Sequence, residues 1–416
     1  MKNIGIKMSL YLNYFVFAIL LNSVGLVILQ VQQNFGIAKD SAAILEGFKD
    51  IPIAITSFVL ASFLPKIGLK NAMLIALAIV TAICSIVPFA DEFWYFKLLF
   101  LSVGISFALI KISVFATIGI ITNNAKEHGS FMNILEAVFM GGILLGGLMF
   151  SYFVDDANPK STTWTSVYWL LSALSILAFI LLFFSKLDES EAKISNTSAT
   201  DNFSSMLKLV TKHLIIIFLF SIFFYVLIEQ SFSTWFPTFY KEILNTPSSM
   251  AIQAGSVLAG ATLIGRLLSG FVLLRVRWIH YLSVCLIAIA IIVLVVLPMA
   301  KNSVIGEVTW ANSPLVVYLL PLMGLFLAPI YPTLNSTILS SLPKHQHAAM
   351  SGLIVVFSAL GGTIGSMITG QIFENFDGTT AFYFSLVPIS IIFILIWMLD
   401  IILKRQNQIT SNNISQ

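Results

Sequence analysis

Twelve long apolar runs constrain this chain more than any other feature. They fall at roughly 9–33, 41–64, 72–90, 94–121, 130–153, 164–185, 213–236, 250–274, 279–298, 314–340, 348–373 and 380–403. Each is near the ~20 residues that a helix needs to cross a bilayer. Lipid leaves no water for exposed backbone groups, so such runs must be helical. Composition agrees, with 58% hydrophobic and 10% charged residues and a mean hydropathy of +0.95. The chain therefore reads as an all-α membrane protein with twelve transmembrane helices. The run after Lys7 is too long for a signal-peptide core and lacks a small-residue cleavage site, so it counts as helix 1.

Orientation comes from the basic residues. With the N-terminus inside, 14 Lys/Arg fall in inside loops and 4 outside (Lys39, Lys160, Lys241, Lys301), while Lys49, Lys97, Lys111 and Arg266 lie within predicted helices. The bias predicts both termini in the cytoplasm of an inner-membrane protein. The most polar stretch, "SKLDESEAKISNTSATDNFSSMLKLVTK" at 185–212, sits centrally. It divides the chain into an N-terminal six-helix bundle (1–185), a cytoplasmic linker (186–212) and a C-terminal bundle with a short polar tail (213–416). Two echoes suggest that the halves are pseudo-symmetric: "LASFLPKIGLK" (60–70) with "LSGFVLLRVRW" (268–278), and "FMGGILLGG" (139–147) with "ALGGTIGS" (359–366). Glycine pairs let helix backbones approach closely.

This 6+6 pattern resembles the major facilitator superfamily over essentially the whole chain. "ASFLPKIGLK" (61–70) keeps Lys66, Gly68 and Lys70 of the loop after helix 2 in that family. It has Ala61 for the family's glycine and Pro65 for its aspartate. "FFYVLIEQSFSTWFPTFY" (223–240), "ATLIGRLLSGFVLLR" (261–275) and "GLFLAPIYPTLNS" (324–336) look like helices 7, 8 and 10 of such transporters. The Pro-Lys-x-Gly-x-Lys turn, with "QVQQNF" (30–35) ending helix 1, is most similar to the fucose permease-like branch of sugar:proton symporters. That branch's coupling acids have no counterpart, because their positions fall near Gly25 and near Leu109 or Lys111.

Ionisable residues inside a membrane mark function or a partner. Glu46, Lys49 and Asp50 are related by i+3 and i+4, which stacks both acids on one helix face beside the lysine. Three readings fit: an ion cluster near the external mouth, a gate between the halves, or a proton site. Lys111 and Glu136 lie ~15 and ~9 Å from the loop joining helices 4 and 5, counted at about 1.5 Å per residue. They can form an ion pair, or Lys111 can face the central cavity and meet an anion. Glu229 and Gln230 belong to the substrate wall that the resemblance implies. Glu229 is either a coupling site or a carboxyl packed on a neighbouring helix. Trp235 is either a stacking platform or an interfacial residue, and Arg266 reads as loop support. Asn22 and Gln30 on helix 1, with Tyr331 and Asn335 on helix 10, add neutral hydrogen-bonding groups on helices expected to line the cavity.

The expected function is secondary active transport of a small polar solute, sugar-like or an organic anion, with protons as coupling ion. The alternative is efflux of a drug or an acidic metal chelator. A membrane-embedded enzyme or a sensor is more distant. No P-loop is present, the five histidines lie near predicted cytoplasmic ends, and Cys84 and Cys285 lack metal-ligand spacing. No cofactor, metal or nucleic acid is expected. The partners are the solute, protons and the bilayer, and a monomer is expected.

Overall fold

The computed structural model describes residues 4–122, 125–187, 189, 210–301, 309–342 and 346–414. Most of the predicted linker, 190–209, lies outside the described residues. Among the described residues, eleven helices are long and apolar enough to cross a membrane. The twelfth is Ile44–Ile67, the helix that carries Glu46, Lys49 and Asp50. The architecture is that of twelve transmembrane helices in two pseudo-symmetric bundles of six.

In the first bundle, helix 1 runs Ile4–Asn22 and resumes as Val24–Phe35. Its interruption is local: Ser23 Oγ donates to the Leu20 carbonyl at 2.8 Å, competing with the backbone ladder. Helices 2 to 6 are Ile44–Ile67, Leu69–Ile86, Trp94–Ile121, Ala125–Phe153 and Val167–Phe184. In the second bundle, helices 7 to 9 are His213–Glu242, Ser248–Val272 and Trp278–Lys301. Helix 10 is broken into Leu315–Leu319, Leu320–Leu322, Met323–Leu327 and Ile330–Ser341. Pro321, Pro329 and Pro332 fall in this stretch, and each lacks the amide hydrogen a regular helix requires. Helix 11 is His347–Asn375, and helix 12 is Gly378–Phe384 continued by Leu386–Ile414.

The Pro-Lys-x-Gly-x-Lys turn has a clear structural task. Gly68 has φ 87°, a left-handed conformation that favours glycine. The amides of Leu69 and Lys70 then donate to the Glu189 carboxylate at 3.0 and 2.8 Å. An acid at a helix N-terminus is favourable. Lys70 Nζ also donates to the carbonyls of Phe183 and Ser185, at 2.9 and 2.7 Å. The turn thus fastens the start of helix 3 to the end of helix 6.

Pseudo-symmetry explains the glycine echo. A Cβ on Gly142 of helix 5 would lie 2.8 Å from Ala18 Cβ on helix 1. On helix 11, a Cβ on Gly365 would lie 2.9 Å from Leu227 Cα on helix 7. Helix 5 on helix 1 and helix 11 on helix 7 are the same contact in the two halves. Across the bundles, helix 2 packs on helix 11, helix 5 on helix 8, and helix 1 on helix 7. These are the seams along which the halves meet.

Candidate functional site

Helix 2 places Glu46 against helix 7 and Asp50 against helix 11, with Lys49 between the two acids. Glu46 is fully buried. Its Oε1 takes close hydrogen bonds from Lys49 Nζ and Gln230 Nε2, and its Oε2 accepts from Thr234 Oγ1 at 3.0 Å. Lys49, also buried, lies 3.5 Å from Asp50 Oδ1. Gly362 of helix 11 sits against Asp50, where an added Cβ would come within 2.6 Å of Oδ2. The cluster holds two acids and one amine, and it ties helix 2 of one bundle to helix 7 of the other. Gly25 sits at the neighbouring crossing, where any Cβ would overlap the Thr234 carbonyl. Helix 1 therefore has no room for an acid at the position where the fucose permease-like branch carries one.

Further contacts between the bundles continue toward the face opposite the termini. Lys39 pairs with Glu242 at 3.3 Å, and its backbone amide donates to Glu374 at 3.0 Å. Ser248 Oγ donates to Gln33 Oε1 at 3.1 Å, and the Ser249 amide to Asp156 at 3.0 Å. Gln253 Nε2 reaches Ser151 Oγ at 3.3 Å.

A cavity of about 300 Å³ lies between the bundles, walled by helices 1, 5, 7, 8 and 10. Asn22, Glu229 and Gln230 line it as expected from sequence, and so do Ser233, Ser256 and Arg266. Glu229 accepts a hydrogen bond from Tyr225 Oη at 2.9 Å, and the same hydroxyl reaches the Leu327 carbonyl at 3.1 Å. Arg266 points Nη1 at Met140 Sδ, 3.2 Å away on helix 5. It lines the cavity instead of supporting a loop.

A matching model settles the family. The Major Facilitator Superfamily model covers residues 10–366. The chain belongs to the major facilitator superfamily. Solved members of this fold align over most of their length. The nucleoside transporter NupG aligns with TM-score 0.73 and 14% identity, covering 94% of this chain and 98% of that one. The transporter FucP in its outward conformation aligns at TM-score 0.62 and 15% identity, covering 96% and 99%. A curated relative, the Protein TsgA homolog of Buchnera aphidicola subsp. Acyrthosiphon pisum (strain Tuc7), is 20% identical over 411 residues, covering 97% of this chain and 96% of the relative.

Within this superfamily fold, the remaining predicted residues scatter. Lys111 Nζ lies 5.8 Å from the Phe107 ring centroid, a cation–π contact. The charge that reaches Lys111 is that of Glu136. The two make no ion pair within 4.0 Å among the described residues, and Glu136 is exposed. The expected pair is thus a longer-range interaction beside the aromatic group of Tyr14, Phe107 and Phe139.

Trp235 faces neither lipid nor cavity. It is fully buried, donates to the Ser366 carbonyl at 3.0 Å and stacks on Phe373 at 5.2 Å. Tyr331 Oη lies 3.3 Å from Ser358 Oγ. Gln30 Nε2 and Asn335 Oδ1 are buried without a hydrogen-bond partner.

Sequence reading missed Thr234 and undervalued Arg266. Thr234 follows Gln230 by one helical turn, so i+4 spacing could have placed both on the face that meets Glu46. Arg266 could have been found by the rule that an intramembrane charge faces a cavity.

Proposed function

We propose that this superfamily member is a proton-coupled secondary transporter that carries a small polar solute by alternating access. One observation carries the reading. The bundles are joined on the side opposite the termini by the Glu46 cluster and the Lys39 and Ser249 contacts, with a polar-lined cavity between them. With the Lys/Arg asymmetry assigning the terminal face to the cytoplasm, this is a state closed to the outside. Rocking the bundles would break the cluster's bonds to helix 7 and expose the cavity to the other side. Both bundles and the cavity belong to one chain, so a monomer in the inner membrane suffices.

The cluster also supports proton coupling. It buries one more acid than base, and a buried net charge is costly. Glu46 already accepts from three donors, whereas among the described residues Asp50 has only Lys49, at 3.5 Å. Asp50 is the carboxyl free to take the proton. Glu229, which faces the cavity from helix 7, is a second candidate acid. Among solved relatives of the fold, a D-xylose-proton symporter aligns at TM-score 0.69 and 12% identity.

The test is solute-driven proton movement. Purified protein goes into vesicles loaded with a pH dye, and sugars and organic acids are added outside. Solute-dependent acidification that disappears on replacing both Glu46 and Asp50 by their amides supports the reading. Uptake of the same solute at an unchanged rate after the proton gradient is collapsed contradicts it.

A further inference from the structure

Arg266 is the one cation among the residues that line the cavity, and its surroundings leave it short of acceptors. A guanidinium carries five N–H donors, and a thioether sulfur is a weak acceptor. The partner of Nη1 is the sulfur of Met140, at 3.2 Å. Nε is buried without a hydrogen-bond partner, and no carboxylate lies within 4.0 Å of the guanidinium among the described residues. Glu229, the one acid in the same wall, has its Oε1 engaged by Tyr225 Oη. Arg266 is half-buried, and a partly desolvated charge gains from an anionic partner. The backbone that carries it is held close to helix 10. Adjacent Gly265 lets helix 8 press on helix 10, where a Cβ would fall 2.8 Å from Leu325 Cα. A guanidinium whose one close acceptor among the described residues is a thioether, in a cavity between two bundles, is suited to receive an anion from solution.

We infer that Arg266 anchors the carboxylate of the transported solute, so that the substrate is a polar organic acid. This rests on the transport reading above and adds the substrate class to it. A carboxylate matches the guanidinium fork in a way no hydroxyl can, through paired N–H···O bonds. The remaining wall suits the rest of such a molecule. Asn22 and Gln230 offer neutral polar groups, and Ser256 Oγ is buried without a partner. Ser256 lies about 15 Å along helix 8 from Arg266, at 1.5 Å per residue. Because Met140 comes from helix 5 and Arg266 from helix 8, an anion that displaces the sulfur changes a contact between the halves.

The experiment measures binding without a membrane. Detergent-purified protein is melted with succinate, gluconate and glucuronate, and with the neutral partners succinamide and glucose. The inference expects the carboxylates to raise the melting temperature and the neutral partners to leave it unchanged. Arg266→Gln is expected to weaken carboxylate binding by about 10- to 100-fold, the value of hydrogen bonds to a charged group. Arg266→Lys, which keeps the charge and loses the fork, is expected to fall between and guards against a glutamine variant that does not fold. The inference is overturned if no carboxylate shifts the melting temperature, if the neutral partners bind as well, or if the folded variants keep wild-type affinity. Arg266-dependent carboxylate binding without flux in vesicles would support the anchor and reject the transport reading. Saturable glucose flux undiminished in Arg266→Gln would do the reverse.

Discussion

Thr234→Val isolates one bond that exists only while the bundles are joined on the side opposite the termini. Thr234 Oγ1 donates to the buried Glu46 carboxylate at 3.0 Å, across the seam between helices 7 and 2. Valine has nearly the same shape, so the substitution removes the donor and little else. Glu46 keeps Lys49 and Gln230. A hydrogen bond to a charged group contributes about 1.5–3 kcal/mol. A loss of about 2 kcal/mol moves a conformational equilibrium by roughly 30-fold. A minor open state of about 1% would rise to about 23%. Spin labels at Lys160→Cys in the first bundle and Thr380→Cys in the second read this directly, since both positions are exposed. The native cysteines, Cys84 and Cys285, are both buried and are replaced by alanine. Pulsed dipolar spectra should show a longer-distance population that grows in Thr234→Val and grows further in Glu46→Gln. Identical distance distributions in wild type and Thr234→Val would refute the cluster's role as a latch.

Other substitutions test neighbouring parts of the account. Gly25→Ala should lower the melting temperature through about 1–3 kcal/mol of overpacking, because its methyl would overlap the Thr234 carbonyl; an unchanged melting temperature rejects the close crossing. Trp235→Phe should lose about 1 kcal/mol with its bond to Ser366, yet keep solute affinity, since Trp235 does not line the cavity; titration of binding separates the two effects. Lys111→Met and Glu136→Gln should couple in stability by no more than about 1 kcal/mol, because they interact at a distance and no ion pair joins them among the described residues; a double-mutant cycle with strong coupling contradicts that geometry.

Sequence carried the span count and the two-bundle plan because lipid imposes one length and one backbone solution. It also exposed the Glu46 cluster, since three ionisable residues stand out in an apolar run. Its partners were not legible. Gln230 and Thr234 lie 184 and 188 residues away in the chain. Neutral polar residues in a membrane helix do not announce which neighbour they meet. The Lys111–Glu136 pairing failed for a related reason. Depth along two helices can be counted, but rotation about each axis cannot, and the two side chains do not meet within 4.0 Å among the described residues. Trp235 was ambiguous because an indole serves equally well at an interface, in a cavity or in a core. Here Gly370 makes the core option possible by leaving space for the ring.

Counterflow tests alternating access most directly. Vesicles holding purified protein are preloaded with an unlabelled solute that shifts the melting temperature, then diluted into trace labelled solute. A site that faces one side at a time should drive transient, saturable accumulation of label above its external concentration, and Thr234→Val should alter its rate. Label that only equilibrates, at a rate proportional to concentration and indifferent to preloading, would contradict alternating access and point to a pore.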